Sequence, residues 1–240
     1  MKIPTKRLIH DTKALQDKKT RSERNEFVIE GLKMVEEALQ SFPDQVQYLL
    51  YSEASMAERL SFWKGDCMRV GDKDMQRMTA FKQHSAVLAV MKKPEPKPFG
   101  DKIIVLDDLQ DPGNFGTILR IADWFGITDV VASIPSVDAY NPKTVQASMG
   151  SILRTNVQHK DLSDFFAKNT LPVYGAVMDG TPLQKVDMKS CGVLLIGNES
   201  KGLSPYLSPM INHPITIERK GKAESLNAAI ACGIICHHWT

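Results

Sequence analysis

The chain has 240 residues, of which 42% are hydrophobic and 24% charged, with a formal net charge of +2. This length suits one large or two modest domains, and the composition is typical of a soluble globular protein. The small net charge excludes a chain that is basic throughout, so any contact with nucleic acid must come from how the charge is distributed.

Positive charge is concentrated near the N-terminus. Residues 2–24 contain eight Lys or Arg and three Asp or Glu, a local excess of five positive charges. Such a segment can bind a phosphate backbone, but a solvated helix face has the same composition. Charge alone therefore leaves both interpretations open.

Neither a secretion signal nor a membrane span is expected. No apolar stretch follows the N-terminal Met-Lys-Ile-Pro-Thr-Lys-Arg, and no apolar run approaches the ~18 residues that a spanning helix needs. The cysteines lack the spacing of a small disulfide scaffold, which indicates reduced, mostly buried thiols in a cytoplasmic protein. They are Cys67, Cys191, Cys232 and Cys236. No second ligand pair at zinc-finger spacing accompanies the last two, so no metal site is expected.

The sharpest change in composition is the Pro-rich segment 94–100, where alternating prolines stiffen the chain. We predict that this linker separates a first domain, 1–93, from a second domain, 101–240. The first domain is predicted to be mixed α/β. Its predicted helices are 6–20, 32–39, 56–63 and 73–79, and its predicted strands are 27–31, 46–51 and 86–90.

The second domain alternates strands and helices. Its predicted strands are 103–106, 129–132, 155–158, 173–177, 193–196 and 215–217. Its predicted helices are 115–125, one that opens at Asn141-Pro142, 162–168 and 224–237. Because the strands are nearly all apolar, this pattern predicts a parallel sheet buried between helices on both faces.

Three polar loops follow strands of this predicted sheet. They contain Asp111-Pro-Gly-Asn114 with Arg120 beyond it, Gly197-Asn-Glu-Ser-Lys-Gly202, and Gly221-Lys-Ala-Glu-Ser225-Leu-Asn227. The carboxyl ends of parallel strands meet at one edge of a sheet, and open α/β sheets bind ligands there. The loops therefore predict one composite site.

Each loop also has an ordinary structural interpretation. Asn114 could cap a helix, and so could Ser225 or Asn227. Capping does not explain Arg120, although an Arg on an apolar helix is usually a rim residue. The two glycines of the second loop have the spacing of a phosphate-binding P-loop. Leu203 stands in place of the Lys that such a loop needs, so nucleoside triphosphate binding is not expected.

Together the three loops resemble the motifs of the SpoU family of RNA 2′-O-ribose methyltransferases, part of the SPOUT class. The first resembles the family's Asp-Pro-Gly-Asn…Arg motif. The second resembles its Gly-Asn-Glu-x-x-Gly motif, and the third its Gly-x-x-x-Ser-Leu-Asn motif. The resemblance covers residues 100–240. Three motifs in the family's order are more specific than any one of them.

This resemblance implies S-adenosylmethionine as methyl donor, a trefoil-knotted C-terminal region, an RNA substrate and a homodimer. It assigns catalytic positions to Asn114, Arg120, Glu199, Ser225 and Asn227. It assigns cofactor positions to Val177, Gly197, Asn198, Gly202, Ile217 and Leu226. The first domain is similar to the family's accessory RNA-binding domain, an L30e-like fold, with Lys18, Lys19 and Arg21 as its RNA-binding candidates.

The resemblance also implies a role for Arg120 at the ribose 2′-hydroxyl and its neighbouring phosphate. A pKa above ~12 makes Arg a poor general base, so stabilisation of the developing alkoxide is the better hypothesis. The accessory domain favours ribosomal over transfer RNA as substrate. Two departures from the family are Ile217-Glu218-Arg219, usually Ile-Pro-Met, and Ala228-Ala-Ile230, often Val-Ser-Val. The first departure lies beside the expected cofactor cleft and could alter the affinity for the cofactor.

Two other functions stay open. A non-catalytic RNA-binding relative would keep the fold; the Glu218-Arg219 departure supports it, whereas Arg120, Glu199 and Asn227 argue against it. An α/β enzyme acting on a small nucleotide-like substrate is opposed by the missing phosphate-binding fingerprints and by the basic first domain.

Overall fold

A computed structural model describes residues 4–240, so Lys2, one of the cations counted above, lies outside the described residues. The chain divides into two compact units. One comprises the residues up to Glu95 together with Tyr140–Leu153, and the other comprises Pro96–Ala139 and Arg154–Thr240. The division between Glu95 and Pro96 falls inside the Pro-rich segment. The return of Tyr140–Leu153 to the first unit has no counterpart in the sequence pattern.

The helices and strands alternate through most of the chain. The helices are α1 (Lys6–Ala14), α2 (Lys18–Arg24), α3 (Leu32–Ser41), α4 (Ser55–Arg59), α5 (Asp72–Met78), α6 (Pro112–Trp124), α7 (Pro142–Ser148), α8 (Leu162–Lys168) and α9 (Ala228–Trp239). The strands are β1 (Glu26–Glu30), β2 (Val46–Tyr51), β3 (Cys67–Arg69), β4 (Val87–Lys92), β5 (Lys102–Leu106), β6 (Asp129–Ser133), β7 (Asn156–Lys160), β8 (Val173–Pro182), β9 (Gly192–Ile196) and β10 (His213–Thr216).

The first unit is built on a sheet with strand order β1-β4-β2-β3. β4 pairs antiparallel with β1 and β2, and β3 runs parallel to β2. Leu50 and Leu88 on one face of the sheet join the core that α1 and α5 cover. Tyr140, from the returning segment, packs on Phe27 with ring centroids 4.8 Å apart. The mixed α/β prediction is confirmed for this unit.

The single helix predicted over residues 6–20 is wrong, because the chain forms two helices there. α1 ends at Ala14, and α2 begins at Lys18. The break is set by Asp17, whose carboxylate accepts a hydrogen bond from Thr20 N at 3.0 Å and so caps α2. The prediction also missed β3, which has only three residues and therefore little periodicity to detect.

Arg21 joins these two helices from inside the protein. Its side chain is buried, with 2% of its surface exposed. Its Nη1 donates to the carbonyl oxygens of Leu15 and Gln16, both at 2.8 Å, at the C-terminal end of α1. Lys18 and Lys19 are exposed. The structure thus places Arg21 inside the fold, where its guanidinium stabilises the end of α1, and places Lys18 and Lys19 on the surface.

The second unit is built on a parallel sheet with strand order β10-β8-β9-β5-β6-β7. The central strands β9, β5 and β6 are almost entirely buried, whereas the edge strands β7 and β10 are partly exposed. Val105 and Val131 pack on one face against Leu162 and Phe166 of α8. The predicted parallel sheet is confirmed.

The closing helix begins later than predicted. It was expected from residue 224, but α9 begins at Ala228. Asn227 caps it, since its Oδ1 accepts hydrogen bonds from Ala229 N at 2.9 Å and Ile230 N at 3.2 Å. Ser225 and Leu226 therefore lie in an exposed segment before the helix.

We predict that Arg21→Ala lowers the free energy of unfolding by about 2–4 kcal/mol, because one buried and one part-buried carbonyl group lose their donor. Chemical denaturation of the whole chain measures this. The matched control is Lys19→Ala, an exposed cation on the same helix, which should cost less than about 0.5 kcal/mol. Unchanged stability of Arg21→Ala would contradict the role assigned to this side chain.

Candidate active site

Two of the three polar loops leave the sheet side by side. β5 and β9 are neighbours, with Leu106 opposite Ile196, so the loops after them start at the same edge. The first residue beyond β5, Asp107, donates its backbone N–H to the Ile196 carbonyl at 2.8 Å. The parallel register of the sheet therefore brings together segments that are about 90 residues apart in sequence.

Asn114, Glu199 and Asn227 form one hydrogen-bonded chain. Nδ2 of Asn114 donates to Oε1 of Glu199 at 3.0 Å. Nδ2 of Asn227 donates to Oδ1 of Asn114 at 2.7 Å. Each residue comes from a different polar loop, so three of the five predicted catalytic positions are directly connected.

Asn114 takes its place in this chain because another residue caps its helix. The expectation that Asn114 could be the N-cap is wrong: the cap is Asp111, whose Oδ1 accepts from Asn114 N at 2.7 Å. Pro112 occupies the first helical position, where its missing N–H costs nothing. The Asn114 side chain, not needed for capping, is left to bridge Glu199 and Asn227.

The Glu199 carboxylate sets the donor-to-acceptor direction of this hydrogen-bonded chain. Burial raises its pKa, but hydrogen bonds from Asn114 and from the backbone N–H groups of Asp111 and Gln110 outweigh this, so the pKa of Glu199 lies below its ordinary value. An ionised carboxylate only accepts hydrogen bonds. Asn114 must therefore turn its NH₂ group to Glu199, which leaves its oxygen facing Asn227.

The loop that carries Glu199 is shaped by its two glycines. Asn198 N donates to Gly202 O at 2.9 Å, and Gly202 N donates to Asn198 O at 3.0 Å. Gly202 has a φ of +70°, which favours glycine. A Cβ on Gly197 would lie 2.4 Å from the carbonyl carbon of Gly202. This close approach leaves no room for any side chain at position 197.

Asn198 fastens the same loop to the loop after β5. Its Nδ2 donates to the carbonyl of Asp108 at 2.7 Å. Its Oδ1 accepts from the backbone N–H groups of Ser200 and Lys201, at 2.9 and 3.0 Å. Three predicted cofactor positions, Gly197, Asn198 and Gly202, thus define the backbone course of this loop.

An open cleft of about 450 Å³ lies between the end of β10 and the distal part of β8. Its lining residues are Met178, Asp179, Thr216, Ile217, Glu218, Arg219 and Lys220. Of the predicted cofactor positions, Ile217 lines the cleft, and Val177 directly precedes Met178. The departure from the family at Glu218-Arg219 is part of the lining.

Sequence reasoning missed Met178 and Asp179 because β8 is longer than predicted. It continues to Pro182, and β10 pairs with it both near its start, at 174–175, and at its end, at 181–182. Gly180 allows this pairing, since a Cβ there would lie 2.6 Å from the backbone of Ile215. The available signal was position alone: these residues follow directly after the predicted strand 173–177.

Arg120 and Ser225 stand outside the hydrogen-bonded chain. Both are exposed, and neither makes a hydrogen bond or ion pair with another described residue. Arg120 lies on the solvent face of α6 together with Trp124, one turn further, which is 84% exposed. Leu226 is likewise 48% exposed and is not part of the cleft lining.

Residues 4–240 contain no group of three or more His, Cys, Asp or Glu side chains that could hold a metal ion. Cys232 and Cys236 are both buried, with their Sγ atoms 3.8 Å apart. In the same part of the chain no helix has the length and apolar character to cross a membrane.

Comparison with known proteins identifies the family. The model of the SpoU rRNA Methylase family matches residues 101–237, more than half of the chain. The MRM3-like substrate binding domain matches residues 6–89. The chain belongs to the SpoU rRNA methylase family. This confirms the family that the three motifs predicted.

Several SpoU relatives align over nearly the whole chain. The 23S rRNA (guanosine(2553)-2′-O)-methyltransferase RlmP of Bacillus subtilis is 32% identical, covering 96% of this chain and 94% of the relative. A TrmH-family structure from Porphyromonas gingivalis has a TM-score of 0.89 at 32% identity, covering 99% of this chain and 98% of that one. The AdoMet-bound rRNA methyltransferase of Sinorhizobium meliloti has a TM-score of 0.85 at 29% identity, covering 100% and 96%.

We predict that Gly197→Ala opens the Glu199 loop, because its new methyl group would overlap the backbone of Gly202. The expected loss of stability is roughly 1–3 kcal/mol, as for other overpacked sites. Differential scanning calorimetry measures it. The matched control is Gly221→Ala, where a Cβ meets nothing within 4 Å. Equal melting temperatures for the two variants would contradict the close packing described here.

Proposed function

We propose that this protein transfers a methyl group from S-adenosylmethionine to a ribose 2′-hydroxyl of ribosomal RNA. The observation that carries this proposal is the Asn114–Glu199–Asn227 chain, in which one residue from each SpoU motif takes part. Ribosomal RNA is favoured over transfer RNA because the relatives from Bacillus subtilis and Sinorhizobium meliloti are named as rRNA methyltransferases.

The cleft beside Ile217 fits the methyl donor chemically. Apolar Met178 and Ile217 suit the adenine ring and the methionine carbon chain, while Asp179 and Arg219 can pair with the ammonium and carboxylate groups. When bound, S-adenosylmethionine supplies an electrophilic sulfonium methyl group. Arg219 also donates to the Ala223 carbonyl at 3.2 Å, a contact within the loop that follows β10. With Glu218 and Arg219 in place of the family's usual residues, the cleft therefore still fits the cofactor chemically.

The remaining proposed cofactor contacts are through backbone. Val177 adjoins the cleft lining, and Gly197, Asn198 and Gly202 offer a loop whose glycines let a ligand approach the main chain. Leu226 is exposed and available as an apolar wall. Because the chain belongs to the SpoU family, we infer that the region holding these loops forms a trefoil knot.

Positioning and electrostatics supply the catalytic effect of the side chains. Glu199, Asn114 and Asn227 already satisfy one another and so form a rigid frame for the ribose. The Arg120 guanidinium is not bonded to any residue of 4–240, so it is available for a phosphate and for the developing alkoxide. Ser225 would add a hydroxyl contact. The 2′-hydroxyl proton needs an acceptor other than Arg120, since arginine stays protonated.

A homodimer would bring Arg120 to a second cleft. α6 and α9 pack together and present an exposed apolar surface, here called the α6/α9 face: Trp124, Ile230 and Ile234 are 84%, 56% and 40% exposed. Exposed large apolar side chains on two helices that pack together are typical of a protein interface. Arg120 lies beside Trp124, so we infer that it acts on the partner's site after the two α6/α9 faces meet.

The first unit is the proposed RNA-binding part. It matches the MRM3-like substrate binding domain, and it presents Lys18 and Lys19 on its surface. Lys18 forms no ion pair with another described residue, whereas Lys19 Nζ lies 3.8 Å from Glu23. A ribosomal RNA substrate and four free cysteines support a cytoplasmic location.

We predict that Arg120→Ala lowers the rate of methyl transfer by about 100-fold or more, the cost of losing one donor at a developing oxyanion. Cofactor affinity should change less than twofold, because Arg120 does not line the cleft. The assay follows labelled methyl from S-adenosylmethionine into total RNA separated by size, with calorimetry for the cofactor.

Two variants sharpen this test. Arg120→Lys keeps the charge but not the planar fork, so it should restore only part of the rate. Lys168→Ala removes an exposed cation outside the site and should transfer like the wild type. Loss of cofactor binding together with transfer in Arg120→Ala would contradict the assignment. Cofactor binding without transfer by the wild type would favour a non-catalytic RNA-binding relative, and absence of RNA affinity would favour a small-substrate enzyme.

We predict that Trp124→Glu dissociates the dimer, because a carboxylate would be buried in the interface. Sedimentation should show the wild type at twice the 26.8 kDa mass of one chain and the variant at that single mass. Phe62→Glu is the matched control, since Phe62 is also an exposed aromatic residue, at 51%, but lies outside the α6/α9 face. A monomeric and fully active wild type would refute the dimer.

A further inference from the structure

Asp107 is a buried carboxylate that none of the SpoU motifs above includes. It directly follows β5 and is 1% exposed. It forms no ion pair with a cation within residues 4–240. Burying a charge without a counter-ion is costly unless hydrogen bonds hold it. Its position therefore calls for a structural or functional reason.

Asp107 forms hydrogen bonds at both ends of the loop that carries Glu199, here called the Glu199 loop. Its backbone N–H donates to the carbonyl of Ile196, the last residue before the loop, at 2.8 Å. Its Oδ2 accepts from the backbone N–H of Ser204, just past the loop, at 2.7 Å. One residue thus fixes the distance between the entry and the exit of the segment that carries Glu199.

The two residues after Asp107 are held by two buried serines, Ser133 at the end of β6 and Ser136 in the loop that follows it. Ser133 Oγ accepts from Asp108 N at 2.8 Å, and Ser136 Oγ accepts from Leu109 N at 3.1 Å. Both serines are 2% exposed, and their Oγ atoms lie 2.8 Å apart. Asp108 has a φ of +52°, a conformation that these bonds must maintain. The segment that bonds to the Glu199 loop is therefore itself hydrogen-bonded to the buried end of β6.

We propose that Asp107 is a positioning residue that clamps the Glu199 loop so that the Asn114–Glu199–Asn227 chain stays closed. Without the clamp the exit of the loop at Ser204 is free to move away from β5, and Glu199 moves with it. A displacement of about 1 Å at a catalytic frame can cost on the order of a hundredfold in rate. This inference rests on the proposed methyltransferase function.

Other titratable groups near the clamp keep their own partners. Asp108 Oδ2 lies 3.6 Å from Lys201 Nζ. Burial and the negative charge of Asp107 raise the pKa of Tyr206, which therefore stays neutral at physiological pH. Opening the clamp should lengthen the hydrogen bonds to Glu199 and so raise the pKa of that carboxyl toward its ordinary value or above it.

The test compares Asp107→Ala, Asp107→Asn and Ser204→Pro in the whole chain. Asp107→Ala removes the acceptor, and Ser204→Pro removes the donor at a residue whose φ of −60° already suits proline. Both should lower kcat about tenfold or more while the cofactor Kd and the KM for RNA change less than threefold. Asp107→Asn keeps an oxygen that can accept from Ser204 N, so it should restore most of the rate. Ile104→Val, a conservative change in β5, the strand that ends just before Asp107, is the control for general loss of stability.

A second readout does not depend on activity. A ¹³C-carboxyl NMR titration should place the pKa of Glu199 higher in Asp107→Ala and in Ser204→Pro than in the wild type and Ile104→Val. Unchanged kcat and an unchanged Glu199 titration in both clamp variants would overturn the proposal. A wild type that transfers no methyl group would refute the proposed function, whereas the Glu199 titration would still decide whether Asp107 clamps the loop.

Discussion

The hydrogen bond from Asn114 to Glu199 is the contact on which the arrangement of the site depends. Because the carboxylate only accepts, it fixes which way the Asn114 amide points. The side-chain oxygen of Asn227 caps α9, so its NH₂ group donates to Asn114. The direction of each bond thus follows from the charge of one group and the cap of one helix, and three loops become one frame.

The parallel sheet could be predicted because its central strands are buried on both faces and read as apolar runs. Helix ends could not be predicted as well, since several residues near each end have capping chemistry. Asp111 and Asn114 are both good caps, and only the geometry shows that Asp111 caps the helix and Asn114 does not. The same ambiguity placed the start of the last helix at residue 224, before its true cap at Asn227.

The site was predictable as three loops at one sheet edge, but not as a set of contacts. Register between β5 and β9 is a tertiary property, and so is the return of Tyr140–Leu153 to the first unit. Arg21 shows the limit most clearly. Its place beside two lysines suggested a phosphate contact, yet its side chain is buried and donates to the carbonyl groups at the end of α1. Composition records a charge but not the side of a helix on which it lies.

Three of the proposed catalytic residues form a hydrogen-bonded frame within one chain. The cation, Arg120, takes no part in that frame. Glu199, Asn114 and Asn227 satisfy one another, so hydrogen bonds within one chain hold the frame together. Arg120 is exposed beside exposed apolar side chains, and no acid within residues 4–240 forms an ion pair with it. A guanidinium already paired within its own chain would first have to break that pair to stabilise a developing alkoxide. Leaving Arg120 unpaired avoids this cost and, under the proposed dimer, makes catalysis depend on assembly of the two chains.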